Sequence, residues 1–435
     1  MPYQPIPSDP GELTDRQRRH LDAFVARYTA RTRESRRLSE RYRASYTDGR
    51  VTARFRRLWK DLVYPLTGRR SAGSRVWDVD GNEYVDIAMG YGVHLFGHSP
   101  EFLVAALEEQ LGRGIELAPR GHLAGAAAEL VCELTGMDRA AFCNSGTEAV
   151  MATLRAARTV TRRERIALFA GAYHGWFDGT LARSLSSELG GRPVPVAPGV
   201  SAAAVGDVLV LPYDRPESLE ILRAQAGELA AVLVEPVQSR RPDVQPVDFL
   251  RELRALTEQA GTVLIFDEMV TGFRVHPGGV QARFGIRADL ATYGKVVGGG
   301  MPIGVVAGRA PFMDAFDGGA WRFGDDSYPT TVKTLFGGAF FANPLTMAAA
   351  CAVLERLKRE GPALQERIEQ LTTDLAGRLN AFFAASELPL RVAHFGSLFR
   401  FLHPGHLKHA DLLFYHLVEK GVYFALEVGN CFLST

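Results

Sequence analysis

Lysine is scarce in this chain: 44 of its 50 cationic residues are arginine and only six are lysine. One of the six, Lys295, follows the apolar run DLATYG and precedes Val-Val-Gly-Gly-Gly. A lysine with restricted solvation loses proton affinity and becomes a nucleophile. The glycines after it let the backbone approach a bound group closely. The other five, at positions 60, 333, 358, 408 and 420, stand in helical or loop contexts. A second chemical group follows the run VLIF, which delivers Asp267 to the end of a strand. A buried carboxylate there needs a cationic or hydrogen-bonding partner. A protonated ring nitrogen serves, and so does a structural salt bridge.

Two further strand ends carry polar chemistry. After AAFC comes Asn144-Ser145-Gly146-Thr147-Glu148 and then a helical pattern. Backbone N–H groups at a helix start make a phosphate site. An ordinary helix cap accounts for Ser145 or Thr147 equally well. After ALFAGA comes Tyr173-His174-Gly175-Trp176. An aromatic residue at a strand end stacks on a flat ligand, or simply fills the core. Each signal is modest alone. Together they supply a phosphate cradle, an aromatic plate, a buried carboxylate and an amine. Pyridoxal 5′-phosphate (PLP) has the matching phosphate, flat ring, ring nitrogen and aldehyde.

These residues need strands to carry them to one edge. The segments AAFCN, RIALFA, LAAVLVEP, TVLIFDE and DLATYGK are short apolar runs separated by helical patterns. That alternation predicts an α/β domain with a mostly parallel central sheet, whose ligands sit at the carboxyl ends of the strands. VWDVDGNEYVDI alternates polar and apolar residues about Asp80-Gly81, which predicts a hairpin. A helix is expected at 101–113. Past Asn343-Pro344, a long helix, a second helix near 362–384 and the strand patterns LPLRVAHFG and SLFRFLH predict a smaller α+β domain.

Residues 1–10 hold four prolines and read as an extended arm. Residues 11–60 hold 15 basic and six acidic side chains, with Leu21, Phe24, Val25 and Tyr28 at helical spacing. This basic helical stretch either docks an acidic partner or packs on its own protein. The net charge of +1 argues against nucleic acid as a partner. No apolar run reaches membrane-spanning length, and the first 20 residues lack a secretory apolar core. Four unpaired-looking cysteines predict neither a disulfide framework nor a zinc site, and the expected location is the cytoplasm.

The motifs NSGTEAV, AYHGW, EPVQ, IFDEMVTGFR and GKVVGGGMPIGVVAG resemble those of the class III (subgroup II) aminotransferases of PLP fold type I. The similarity runs from about residue 70 to the end, and is closest to the glutamate-1-semialdehyde aminomutase-like branch. WKDLVYP, VWDVDGNEYVDIAMGYGVHLFGHSP and EPVQSRRPDVQP further resemble aminotransferase domains of mixed polyketide–nonribosomal peptide synthases. The resemblance implies an N-terminal Arg-rich helical extension (1–70), the first part of a small domain (71–110), a large PLP-binding domain (111–335) and a C-terminal small domain (336–435). Related sequences continue into another helix, so this last domain is expected to be shortened.

Carried over by motif, Lys295 forms the aldimine with PLP and shuttles the substrate proton, and Asp267 holds the ring nitrogen protonated. Ser145, Gly146 and Thr147 bind the phosphate. Tyr173 covers one ring face with His174 beside it, and Met269 lies against the other. Glu235 and Gln238 lie near the ring hydroxyl and the amine. The 89–96 segment lines the substrate entrance, with Tyr91 and His94 as candidates for substrate contact. Arg274 in TGFR suits a substrate carboxylate and a structural pairing equally. No metal is expected. The family commonly has Gly-Thr-Phe before Asn-Pro, whose threonine reaches the neighbouring subunit's phosphate. Here the step is Gly338-Ala339-Phe340, leaving a backbone contact, Thr331 or Thr334 to substitute.

The expected activity is an aminotransferase that takes nitrogen from an amino acid and delivers it to a carbonyl, a 3-oxoacyl chain on an acyl carrier protein or an aldehyde. The alternatives are a glutamate-1-semialdehyde-type 2,1-aminomutase and a transaminase of free small molecules. A homodimer is expected, because the family's active site lies between two subunits.

Overall fold

The computed structural model describes residues 13–52, 55–185, 190–404, 409–425 and 429–435. The proline-rich arm at 1–10 lies outside the described residues. Sixteen strands are present among the described residues. A hairpin leads: β1 (Gly68–Ala72), β2 (Arg75–Asp78) and β3 (Glu83–Asp86). The turn between β2 and β3 contains Gly81 at φ 87°, a conformation that favours glycine. The central strands are β4 (Arg139–Cys143), β5 (Arg165–Phe169), β8 (Val208–Leu211), β9 (Leu229–Val234), β10 (Val263–Asp267), β11 (Leu290–Gly294) and β12 (Gly304–Gly308). Between β5 and β8 a short ribbon pairs β6 (Ala182–Ser184) with β7 (Pro193–Pro195). Near the end come β13 (Arg391–Phe395), β14 (Leu398–Leu402), β15 (Val422–Tyr423) and β16 (Cys431–Phe432).

The seven central strands form one sheet in the order β4-β12-β11-β10-β9-β5-β8. The contacts from β11 through β10, β9 and β5 to β8 are all parallel. Only β12 runs against its neighbours β11 and β4. Its first residue, Gly304, is level with Cys143 on one side and Gly294 on the other. The carboxyl ends of β4, β5, β9, β10 and β11 therefore share one edge.

Alternation along the strands loads both faces of the sheet. Phe169, Val234, Phe266 and Tyr293 enter one core; Leu168, Leu233, Ile265 and Val306 enter the other. Helix Gly146–Thr161 covers the second face with Ala149, Val150 and Leu154. Helices Leu123–Thr135, Val247–Ala260 and Pro344–Glu360 cover the first. A sheet apolar on both faces and covered by helices is the arrangement that the short apolar runs predicted.

The N-terminal and C-terminal parts of the chain meet. Strand β15 pairs parallel with β3, joining the hairpin to the final hundred residues. Helix Asp15–Arg31 starts with a capping box between Thr14 and Gln17. Its residues Leu21, Phe24 and Tyr28 are buried against Trp59, Leu62, Tyr84 and Tyr415. Of the two readings of the basic stretch, the apolar stripe follows the second: it packs on its own protein. Arg27 also pairs there with Glu419 at 2.7 Å. The two late helices span Pro344–Glu360 and Ala363–Ala385, and β13, β14 and β16 form a separate antiparallel sheet.

Candidate active site

Asp267 is the last residue of β10 and is 3% exposed. One carboxylate oxygen, Oδ2, accepts a hydrogen bond from His174 Nδ1 at 2.7 Å. The other, Oδ1, accepts from Thr292 Oγ1 at 3.0 Å and from the Met269 N–H at 3.2 Å. The pairing of Asp267 with Thr292 across β10 and β11 fixes this contact. His174 is itself buried, and its Nε2 has no partner among the described residues.

Lys295 follows β11 by one residue, so it emerges beside Asp267. Its backbone φ is 45°, a left-handed conformation that costs a non-glycine residue about 1 kcal/mol or more. Enclosure by the protein pushes the amine below its ordinary pKa, the charges of Asp267 and Glu235 pull it back up, and Arg274 pushes it further down. Glu235 follows β9 and is buried. Its Oε1 accepts from the Ser239 N–H at 2.8 Å and its Oε2 from the Tyr173 N–H at 3.3 Å. Burial raises its pKa against the pull of the Ser239 N–H. Gln238 donates from Nε2 to the Ala170 carbonyl at 3.0 Å. These bonds tie the loop after β9 to the loop after β5.

Tyr173 stands on that second loop with 55% of its surface exposed. It is not a core tyrosine. Ser145 caps helix Gly146–Thr161 by accepting from the Glu148 N–H. The cap leaves the first-turn N–H groups of Gly146 and Thr147 outside the helix's own hydrogen-bond ladder. Thr147 Oγ1 accepts from the Trp176 N–H at 3.4 Å, joining the helix start to the tyrosine loop. Met269 packs its thioether against Gly146 and Gly294, where a Cβ would run into it. Ser145–Thr147, Tyr173, Glu235, Asp267 and Lys295 thus lie at or just past the carboxyl ends of β4, β5, β9, β10 and β11.

The three substrate candidates are placed differently. Arg274 is 1% exposed. It donates to Ser397 Oγ at 2.8 Å, to the Leu433 carbonyl at 3.3 Å and to the Gly92 carbonyl at 2.5 Å. Its guanidinium lies 4.8 Å from the centre of the Phe432 ring. No carboxylate of the described residues pairs with it, and burial lowers its pKa to about 9. These contacts are those of a structural tie between the 89–92 turn and the last strand. Tyr91 has φ 60°, and its hydroxyl accepts from Arg50 Nη1 at 3.3 Å, on the side of the N-terminal segment. Tyr91 lines a cavity of about 240 Å³ together with Tyr28, Tyr64 and Tyr415. His94 lies with its ring centre 4.2 Å from that of His98, and its Cε1 abuts Gly300 of the turn after Lys295. Burial lowers its pKa to about 4, so it is neutral near pH 7.

Three features escaped the sequence reading. Thr292 supports Asp267, and nothing but strand alternation marked it. His174 pairs with Asp267 from 93 residues away. Arg240 sits with its guanidinium carbon 5.9 Å from the centre of the Tyr173 ring. Among the described residues no group of His, Cys, Asp and Glu is arranged to hold a metal ion. No described helix is long and apolar enough to cross a membrane.

An exposed aromatic plate, free N–H groups at a helix start, a buried carboxylate and an enclosed lysine fit a flat ring that carries a phosphate. Comparison with known proteins agrees. The aminotransferase class-III family matches residues 60–433. A glutamate-1-semialdehyde 2,1-aminomutase from Roseiflexus castenholzii is 36% identical over 373 residues, 82% of this chain and 82% of its own. A transaminase solved with PLP bound superposes with a TM-score of 0.81 at 31% identity, over 93% of each chain. A β-phenylalanine aminotransferase from Variovorax paradoxus gives a TM-score of 0.79 at 31% identity, over 96% of this chain and 93% of its own. The chain belongs to the class-III aminotransferases and is a PLP-dependent enzyme of fold type I.

Proposed function

We propose that the chain moves an amino group within one small free molecule, as a glutamate-1-semialdehyde-type 2,1-aminomutase. The observation that carries this reading is the aminomutase relative, alike over four fifths of both chains. Transfer between two free molecules is the second reading, favoured by the transaminases of similar structure at 31% identity. The carrier-bound acceptor expected from the sequence is favoured by neither. It rested on the motifs that resemble synthase aminotransferase domains and on the basic N-terminal stretch, whose apolar stripe packs on its own protein.

In this proposal Lys295, its proton affinity lowered by enclosure, is the amine that would hold PLP and the base that would move the proton at the substrate carbon. Asp267 holds the ring nitrogen charged, and His174 and Thr292 hold Asp267. Ser145, Gly146 and Thr147 receive the phosphate. Tyr173 and Met269 flank the ring, and Glu235 and Gln238 hold the loop that carries the plate. When bound, PLP supplies a carbonyl for the amine and a ring that stores the electron pair. Both alternatives in the amino donor use this same apparatus.

The four-part division at residues 70, 110 and 335 belongs to the proposal, supported by the separate central and C-terminal sheets. So does a homodimer. Phe323 and Leu335 are 92% and 81% exposed, with Trp321 and Phe340 also open, an apolar face that a second copy would cover. The missing hydroxyl at Ala339 lies on that same stretch.

The test is to give purified PLP-loaded enzyme glutamate 1-semialdehyde with no amino donor. The expected product is the isomeric amino ketone. An absolute requirement for an external amino acid would replace the aminomutase with a transaminase. Amination of a carrier-bound 3-oxoacyl chain, without isomerisation of the free substrate, would restore the carrier reading.

A further inference from the structure

We infer that Arg240 anchors the carboxylate of the substrate at the mouth of the site. The inference rests on the small-molecule reading above and names the group that such a substrate must carry. The loop that bears Arg240 is held by three bonds already described. Glu235 accepts from the Ser239 N–H and from the Tyr173 N–H, and Gln238 donates to the Ala170 carbonyl. Arg240 is the residue after Ser239. Its backbone is thereby fixed beside the aromatic plate, with the guanidinium carbon 5.9 Å from the ring centre.

The neighbouring arginine shows why this one is different. Arg241 pairs with Asp243 at 3.2 Å, and Asp243 also takes Arg391 at 2.9 Å. That carboxylate is therefore shared by two guanidinium groups. Arg240 makes no ion pair with the described residues; its recorded contact is the face of Tyr173. It is exposed, so its charge stays hydrated until a ligand arrives. A guanidinium stacked on an aromatic face is oriented without using its N–H donors. Those donors are left for a planar anion, and a carboxylate matches their spacing in a two-point contact. The buried acids of the site, Asp267 and Glu235, are committed to His174, Thr292 and backbone N–H groups. The buried cation Arg274 has both terminal nitrogens taken by Ser397, Leu433 and Gly92. Unlike Arg241 and Arg274, Arg240 makes no guanidinium hydrogen bond to the described residues, and its contact is the Tyr173 ring.

The role is one of binding and specificity. A dicarboxylate or an amino acid with a distal carboxylate fits it; a neutral amine or aldehyde gains nothing from it. The test uses the PLP-loaded enzyme and does not depend on turnover. Glutarate and its diamide are titrated calorimetrically into the wild type, Arg240→Gln and Arg240→Lys. In the wild type glutarate is expected to bind about tenfold or more tighter than the diamide. In Arg240→Gln that preference is expected to fall toward one, and in Arg240→Lys to return in part. Cofactor content, read from the visible absorbance band, reports separately on the plate and the phosphate site. Unchanged glutarate preference in Arg240→Gln would overturn the inference, as would a loss of PLP that accounts for the weakening. A failed aminomutase reading would show instead as a need for an external amino donor, with the glutarate preference intact.

Discussion

Replacing Arg274 with methionine separates the two roles that its sequence motif allows. The structure gives the guanidinium three acceptors, Ser397 Oγ, the Leu433 carbonyl and the Gly92 carbonyl. Hydrogen bonds from a charged donor contribute about 1.5–3 kcal/mol each, so the gross loss is roughly 6 kcal/mol. Removing a buried charge with no counterion returns several kcal/mol of desolvation cost. The net expectation is a destabilisation of about 3 kcal/mol. For 435 residues at about 2.1 cal/mol/K per residue, that lowers Tm by about 3 °C. Arg274→Lys is expected to fall between, because one ammonium group cannot reach three acceptors in different directions. The assay pairs calorimetric melting of the PLP-loaded enzyme with steady-state kinetics. A substrate-binding arginine would behave oppositely: Tm unchanged, and KM for a carboxylate substrate raised about tenfold or more. That outcome would refute the structural assignment.

Three other expectations follow from geometry already described. Gly304→Ala places a Cβ onto the Ser145 carbonyl and against Cys143 Sγ, so the variant is expected to lose soluble yield or PLP content; full occupancy at unchanged Tm would contradict the packing. Tyr173→Ala removes the exposed plate, and equilibrium dialysis is expected to show PLP affinity reduced by up to about tenfold. His94 has a folded pKa of about 4 against 6.5, so the unfolded chain binds more protons between these values. Its contribution is complete above pH 6.5 and is lost as pH falls through 4, by up to ~3 kcal/mol. His94→Asn is expected to flatten that acid limb in melts from pH 4 to 7.

The sequence was most legible where local chemistry and strand position coincided. VLIF-Asp267 and DLATYG-Lys295 could be placed because an apolar run sets the strand and its first polar residue sets the edge. Two strands of the central sheet were not read. Val208–Leu211 has only four residues before Pro212, too short for alternation to register. Gly304–Gly308 follows a glycine-rich turn, and its glycines spoke for backbone approach to a ligand; its antiparallel direction has no local signature. Partnerships were the least legible. Arg274 finds Gly92 across 182 residues and Leu433 across 159, so no local pattern could choose between ligand and tie. Arg240 looked like one of many arginines, and only the folded loops bring it to Tyr173. The tyrosine's exposure likewise belongs to the folded state, since an aromatic residue after an apolar run reads equally as core.

The lone reversed strand of the central sheet carries no chemical group, yet it acts as a gauge. Because Gly304 is level with both Cys143 and Gly294, the start of helix Gly146–Thr161 and the lysine are held two strand spacings apart, roughly 9.6 Å. Glycine at both ends keeps that gauge thin: a side chain at 304 would strike Ser145, and one at 308 would strike Leu290. A two-residue slip would displace it by about 6.8 Å along the sheet. Segments exchanged with a related enzyme can therefore be joined in the loops on either side of 304–308, but a length change inside it would detune the spacing while leaving every reactive side chain in the sequence.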